Sequence, residues 1–216
     1  MADREENVLL PDGQILRHGN GERIVHWAIA IVFLFLFLSG LALFSPLFFW
    51  LSLLFGGGQF MRFLHPIAGV ALVLLFYPYA WRLRGDNHWS PVDTNWAQNM
   101  LAYMRKEAHF PDTGKYNAGQ KLMYWSMIPV IGVLLVTGIA LWQPWFAPSF
   151  SPGARRASGL VHAAMAFVMF IGIGVHWYAA YWTRGSIRSM VRGNVTRAWA
   201  RFHHPGWYKR VTGKDA

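Results

Sequence analysis

The chain has 216 residues, 54% of them hydrophobic and only 14% charged, with a formal net charge of +10. Its apolar residues come in blocks long enough to cross a bilayer, so topology and anionic lipid, rather than nucleic acid, account for the positive charge. The absence of cysteine excludes disulfides, covalent c-type haem and iron–sulfur clusters held by this chain.

The opening segment, residues 1–25, is polar. No signal peptide is evident, because the apolar block that follows is too long for a signal-peptide core and reads as an uncleaved first span over 27–44. His26 stands at its start, behind Arg23, and Gly40 lets a helix or a flat ligand approach closely. The glycine run at 56–58 is a turn, since no strand precedes it and no GK[ST] follows. The second span covers 66–81. Pro66 suits a first helical turn, which puts His65 at the helix start. Gly69 lies one turn on, on the His65 face, and Pro78 kinks the far end.

The polar stretch from Arg82 to Lys121 places Trp96, Met100, Tyr103 and Met104 at helical spacing, which predicts an amphipathic helix lying at the interface. The turn-rich run DTGKYNAGQK precedes a third span over 122–142, which contains no histidine. A proline-rich loop leads to the fourth span over 159–182. In the tail, 183–216, apolar residues from Ile187 to Phe202 alternate with Arg188, Arg192, Arg197 and Arg201, predicting a second interfacial helix.

The fourth span carries both His162 and His176. Their fourteen-residue separation is about 21 Å of helix rise and falls about 40° short of whole turns, so both imidazoles share a face near opposite ends. Four spans put both termini on one side. Of the 20 Lys and Arg, only Arg62, Arg155 and Arg156 lie in the two loops on the other side, so both termini are expected in the cytoplasm. That topology sorts four histidines by depth, His65 with His162 at the outer end and His26 with His176 at the inner end. Two bis-imidazole b-type haems would use all four, and low-spin bis-histidine iron suits electron transfer. The competing reading is interfacial histidines bonded to neighbouring helices, although ionisable groups inside spans are usually functional. His18, His88, His109, His203 and His204 are expected to be solvated or to pack with the tail rather than to act as ligands. Zinc is a poor fit, with no HExxH and no cysteine. The expected architecture is all-α integral membrane: one domain over 1–216, a four-transmembrane-helix bundle holding two b-type haems, with amphipathic interfacial helices on the cytoplasmic side.

RIVHW at 23–27, RFLHP at 62–66, GKYNAGQK at 114–121, LVHAAMA at 160–166, GVHWYAAYW at 174–182, RGSI at 184–187 and HHPGWY at 203–208 together resemble the gamma subunit of respiratory formate dehydrogenase, a dihaem cytochrome b. The resemblance covers residues from about 20 to 210 and leaves out the N-terminal extension. It implies haem ligation by His65 with His162 and by His26 with His176. It further implies quinone reduction (menaquinone or ubiquinone) near the inner haem at Asn117, Gly119, Gln120 and His176. Partners implied are an iron–sulfur beta subunit and a molybdenum or tungsten alpha subunit that oxidises formate outside, in the bacterial inner membrane, with a possible higher oligomer of the heterotrimer. Nothing in this chain binds formate. From the residues alone, a turn and helix cap is the first reading of NAGQ. Two alternatives stay open: a cytochrome b subunit of a membrane hydrogenase or thiosulfate reductase, and a transporter with histidine relays. Against the transporter, no Asp or Glu lies in any span and no inverted repeat is evident.

Overall fold

The computed structural model describes residues 6–105 and 111–214; His109 and the Met104 side chain lie outside them. The chain begins with β1 (Val8–Leu9), β2 (Ile15–Leu16), α1 (Asn20–Phe44), a 3-10 helix (Pro46–Phe55) and α2 (Gly58–Leu83). It continues through α3 (Pro91–Gln98), α4 (Met100–Met104), α5 (Ala118–Leu141) and α6 (Pro152–Trp182). It ends with α7 (Ser186–Arg192), β3 (Asn194–Val195), α8 (Arg197–His203) and α9 (Pro205–Thr212). α1, α2, α5 and α6 are long and apolar enough to cross a membrane. At most 22% of the most apolar window of any of them is buried within the chain, so most of that surface is left for lipid or neighbouring subunits to cover.

Each spanning helix begins earlier than hydropathy alone places it. The polar first turns supply their own caps: Ser151 Oγ accepts from Ala154 N at 3.2 Å, with Pro152 opening α6. The second span is a correction. α2 starts at Gly58, after the left-handed turn at Gly56 (φ +79°) and Gly57 (φ +98°). Pro66 therefore sits inside the helix and His65 is an interior position, not a helix start. A spanning helix tolerates the backbone bond lost at an internal proline.

The chain divides into two compact units. One comprises Val25–Ala80 and Ser126–Gly174. Within it the 3-10 helix packs Leu51 against Ala42 and Met61, Phe37 stacks on Phe170 at 4.6 Å, and the Tyr77 hydroxyl donates to the Ile128 carbonyl at 2.8 Å. Gly132 allows that approach, because a Cβ there would stand 3.0 Å from the hydroxyl.

The other unit comprises Met1–Ile24, Trp81–Trp125 and Val175–Ala216. It holds a small antiparallel sheet in the order β1-β2-β3, with Ile15 opposite both Leu9 and Val195. The tail therefore departs from the single amphipathic helix expected of it. Gly193, at φ +84° with a hypothetical Cβ only 2.7 Å from the His18 carbonyl, turns the chain out of α7 into β3. The predicted helix around Trp96 likewise forms two pieces, α3 and α4, meeting at Asn99. Ile15, Val195, Ala200, Trp207 and Tyr208 make the core.

Charged groups are buried here in company. Arg17, 2% exposed, donates to the Lys115 carbonyl at 2.6 Å and lies 4.8 Å from the Trp199 ring centre. Burial lowers its pKa to about 10, so it remains a cation. Lys115 Nζ reaches Glu6 at 3.1 Å and Glu22 at 3.7 Å, and Tyr116 donates to Glu22 at 3.2 Å. The sequence blocks TGKYN and HHPGW also bind each other. Thr113 Oγ1 donates to the His203 carbonyl at 3.1 Å, His204 Nδ1 to the Gly114 carbonyl at 2.9 Å and Trp207 N to the Thr113 carbonyl at 3.0 Å.

Two predictions follow from these packings. A Cβ on Gly206 would stand 2.5 Å from the Asp112 carbonyl oxygen, so Gly206→Ala should lift α9 and speed proteolysis of the tail in detergent; unchanged cleavage would refute the docking. Asp93 is 1% exposed and bonds Lys121 Nζ at 2.7 Å. Burial raises its pKa, but the Lys121 and Ser90 hydrogen bonds outweigh burial and hold it below the ordinary value. Lys121→Met should cost about 3–5 kcal/mol by stranding a buried carboxylate. In the wild type the contribution is present above about pH 4 and is lost as pH falls through the depressed pKa. Thermal midpoints against pH should show the acid loss in the wild type and not in Asp93→Asn.

Candidate functional site

His65 on α2 and His162 on α6 belong to the same unit, and their ring centres lie 6.4 Å apart with planes at 63°. Each ring is held by a hydroxyl from a neighbouring helix. Ser39 Oγ on α1 is 2.7 Å from His65 Nδ1, and Thr137 Oγ1 on α5 is 2.9 Å from His162 Nδ1. With Nδ1 engaged, each imidazole has Nε2 available as a ligand. Two imidazoles ligating one metal from opposite faces, at metal–nitrogen distances of about 2 Å, put their ring centres about 6 Å apart. Among the described residues no group of three or more His, Cys, Asp or Glu could hold a bare metal ion. The pair therefore suits a metal whose remaining ligands come from a macrocycle. The backbone beside it is cleared for a flat group: a Cβ on Gly69, one turn along α2, would meet no protein atom within 4 Å. The residues present fit a haem.

His26 is half-buried on α1, edge-on to Trp27 at 5.6 Å, and belongs to the same unit as His65. His176 is exposed on α6 and belongs to the other unit. α6 runs unbroken through both His162 and His176.

The NAGQ turn forms the start of α5. Asn117 Oδ1 accepts from Gln120 N at 3.0 Å, while Gln120 Oε1 accepts from Asn117 N at 3.0 Å, a reciprocal capping box. Both amide oxygens must face backbone N–H groups, so both amide NH2 groups are turned outward as donors. Gly119 is exposed between them. Among the arginines close in sequence to the ends of these spans, Arg23 is engaged by Asn20 Oδ1 at 2.9 Å and by the Val191 carbonyl, whereas Arg82 and Arg184 are exposed.

Among the remaining histidines, His88 is exposed. His18 is buried, with Nδ1 3.1 Å from Glu22 and its backbone N–H donating to the Gly193 carbonyl at 3.0 Å, so it packs against the tail rather than standing in solvent. Burial, then the nearby Arg17 charge, lowers His203 to about 4 and His204 well below the ordinary imidazole value, and both are neutral. Ser39 and Thr137 went unnoticed in the sequence. Their signal was a hydroxyl residue followed directly by glycine inside an otherwise apolar span, Ser39-Gly40 and Thr137-Gly138.

Known proteins similar to this chain include several cytochrome b subunits. The cytochrome b556(Fdn) subunit of the nitrate-inducible formate dehydrogenase of Escherichia coli is 40% identical over 197 residues, covering 90% of each chain. The cytochrome b556(fdo) subunit of a second E. coli formate dehydrogenase is 40% identical, covering 91% of this chain and 93% of its own. A formate dehydrogenase cytochrome b556 subunit from Haemophilus influenzae is 39% identical over 199 residues, covering 92% and 84%. A family model described as prokaryotic cytochrome b561 matches residues 17–193, all four spanning helices included, and the chain belongs to that family of membrane-integral cytochromes.

Proposed function

We propose that this chain is the membrane-anchoring cytochrome b subunit of a formate dehydrogenase, passing electrons from a periplasmic iron–sulfur subunit to a quinone reduced at the cytoplasmic side, with two b haems as its redox groups. The observation that carries this reading is the facing His65–His162 pair, 6.4 Å between ring centres, each ring anchored through Nδ1. Support for the donor comes from relatives named as formate dehydrogenase subunits, about 40% identical over most of the chain. They imply further subunits, which we take to be an iron–sulfur beta chain and a molybdenum or tungsten alpha chain.

Haem iron, when bound, supplies one-electron chemistry without an open coordination site. The chain's own part is to hold the ligands. His65 and His162 form the outer pair; His26 and His176 form the inner pair, on the depth argument from the spans. With both termini cytoplasmic, as the Lys and Arg distribution favours, an electron moving inward works against about 2.3 kcal/mol per 100 mV of membrane potential. At the inner face the quinone carbonyl needs a donor. The outward NH2 groups of Asn117 and Gln120, with their oxygens held in the capping box, are suited to that, Gly119 keeps the approach open, and His176 completes the site.

Reduced-minus-oxidised spectra with haem quantification test the ligands. Two b haems per wild-type chain are expected, with His162→Ala and His176→Ala each removing one; a folded wild type without haem would refute the reading. The quinone residues are tested by separating cap from donor. Asn117→Asp and Gln120→Glu keep the capping oxygens but lose the amide donors. Each should slow quinone reduction by about tenfold, the worth of one hydrogen bond, with the thermal midpoint unchanged. Wild-type quinone reduction in both would exclude NAGQ from the site.

A further inference from the structure

Resting on the assignment of His65 and His162 as axial ligands, we propose that Ser39 and Thr137 are positioning residues that fix the tautomer of those two imidazoles and lower the reduction potential of the iron they hold. The hydrogens can be assigned from chemistry alone. Ser39 is fully buried, and its Oγ lies 2.7 Å from the Phe35 carbonyl, 3.3 Å from the Leu36 carbonyl and 2.7 Å from His65 Nδ1. A serine hydroxyl has one hydrogen, and a carbonyl can only accept. The hydrogen therefore goes back along α1 to Phe35, and the oxygen presents a lone pair to the imidazole. His65 Nδ1 must then carry the ring's hydrogen, which leaves Nε2 unprotonated and able to ligate.

Thr137 repeats the arrangement. Its Oγ1 lies 2.7 Å from the Val133 carbonyl, 3.3 Å from the Leu134 carbonyl and 2.9 Å from His162 Nδ1. The one hydroxyl hydrogen again goes back to a carbonyl of its own helix, so the oxygen offers a lone pair and His162 Nδ1 carries the ring's hydrogen. The glycine after each hydroxyl completes the seat. A Cβ on Gly40 would stand 3.5 Å from His65 Cε1, and one on Gly138 3.4 Å from His162 Cε1. The same device thus occurs twice: a hydroxyl–glycine pair on α1 seats the ring carried by α2, and one on α5 seats the ring carried by α6.

Donation from Nδ1 makes a ligating imidazole more basic, which favours the ferric over the ferrous state. Removing the acceptor should raise the midpoint potential. A tenfold change in that preference is 59 mV for a one-electron couple. Redox titration of the full-length protein, following the haem absorbance, tests this with Ser39→Ala, Ser39→Thr, Thr137→Val and Thr137→Ser. Ser39→Ala should raise the outer midpoint by about tenfold in preference, 59 mV. Thr137→Val should raise it in the same way. Ser39→Thr and Thr137→Ser should keep the wild-type value, and the inner midpoint should not move in any of the four. Loss of the outer haem from Ser39→Ala but not from Ser39→Thr, with the inner haem retained as the sign of an intact fold, would also support the proposal. Loss from both, or unmoved midpoints in chains holding two haems, would overturn it. A folded wild type without haem would instead sink the ligand assignment, and this inference with it.

Discussion

An imidazole inside a hydrocarbon layer is tolerable only when its polar atoms have partners. In this chain that constraint governs where the small residues go. Ser39 and Thr137 return their hydroxyl hydrogens to their own helices and turn lone pairs toward the rings. The glycine that follows each hydroxyl lies beside the ring, where a Cβ would reach it at ordinary contact distance. The four spans are otherwise apolar and mostly uncovered by the chain itself, so the histidine pair and its seats are what give their unit a specific interior rather than a generic one.

The polar unit solves a different problem with the same economy. The N-terminal extension, the stretch before α5 and the tail are far apart in sequence, and no single one could bury a core alone. Their apolar content is small, essentially Ile15, Val195, Ala200, Trp207 and Tyr208. Cross-bonding between backbone and side chains supplies the rest. Arg17 donates to the Lys115 carbonyl, and the tail carbonyls and N–H groups close on residues 113 and 114. Truncating one partner of such a buried set strands the others, which makes the unit sensitive to single changes.

The number and order of spans were legible in the sequence because length and hydropathy are set residue by residue. So was the nearness of His65 and His162, since it needs only helix rise and the count of crossings. Helix starts were not legible, because a cap such as Ser151 and a polar first turn carry no hydropathy signal. Pro66 misled in the same way. Its usual place is a first turn, and only the left-handed glycines at 56 and 57 reveal that the helix had already begun. The sheet was invisible for another reason. β1, β2 and β3 are two residues each, and β3 depends on Gly193 approaching the His18 carbonyl, a contact nearly the whole chain apart. Of the two roles the sequence leaves His18, solvated or packed with the tail, only the buried Glu22 and the Gly193 carbonyl decide for packing.

The start of α5 shows how the polar unit bears on chemistry. Its first turn is fixed three times over. The Asn117–Gln120 box caps it. Lys121 ties it to Asp93 at 2.7 Å and to the His88 carbonyl at 2.9 Å. Trp125 Nε1 donates to the Asn87 carbonyl at 2.9 Å. Asp93 is itself the third residue of α3 and closes a capping box with Ser90, so the starts of α3 and α5 brace each other. A Cβ on Gly119 would lie 3.5 Å from the edge of the Trp96 ring on α3. Helix starts commonly fray. In the quinone site proposed above, this bracing would hold the two amide donors at fixed spacing, where a displacement of about 1 Å costs a large factor in rate.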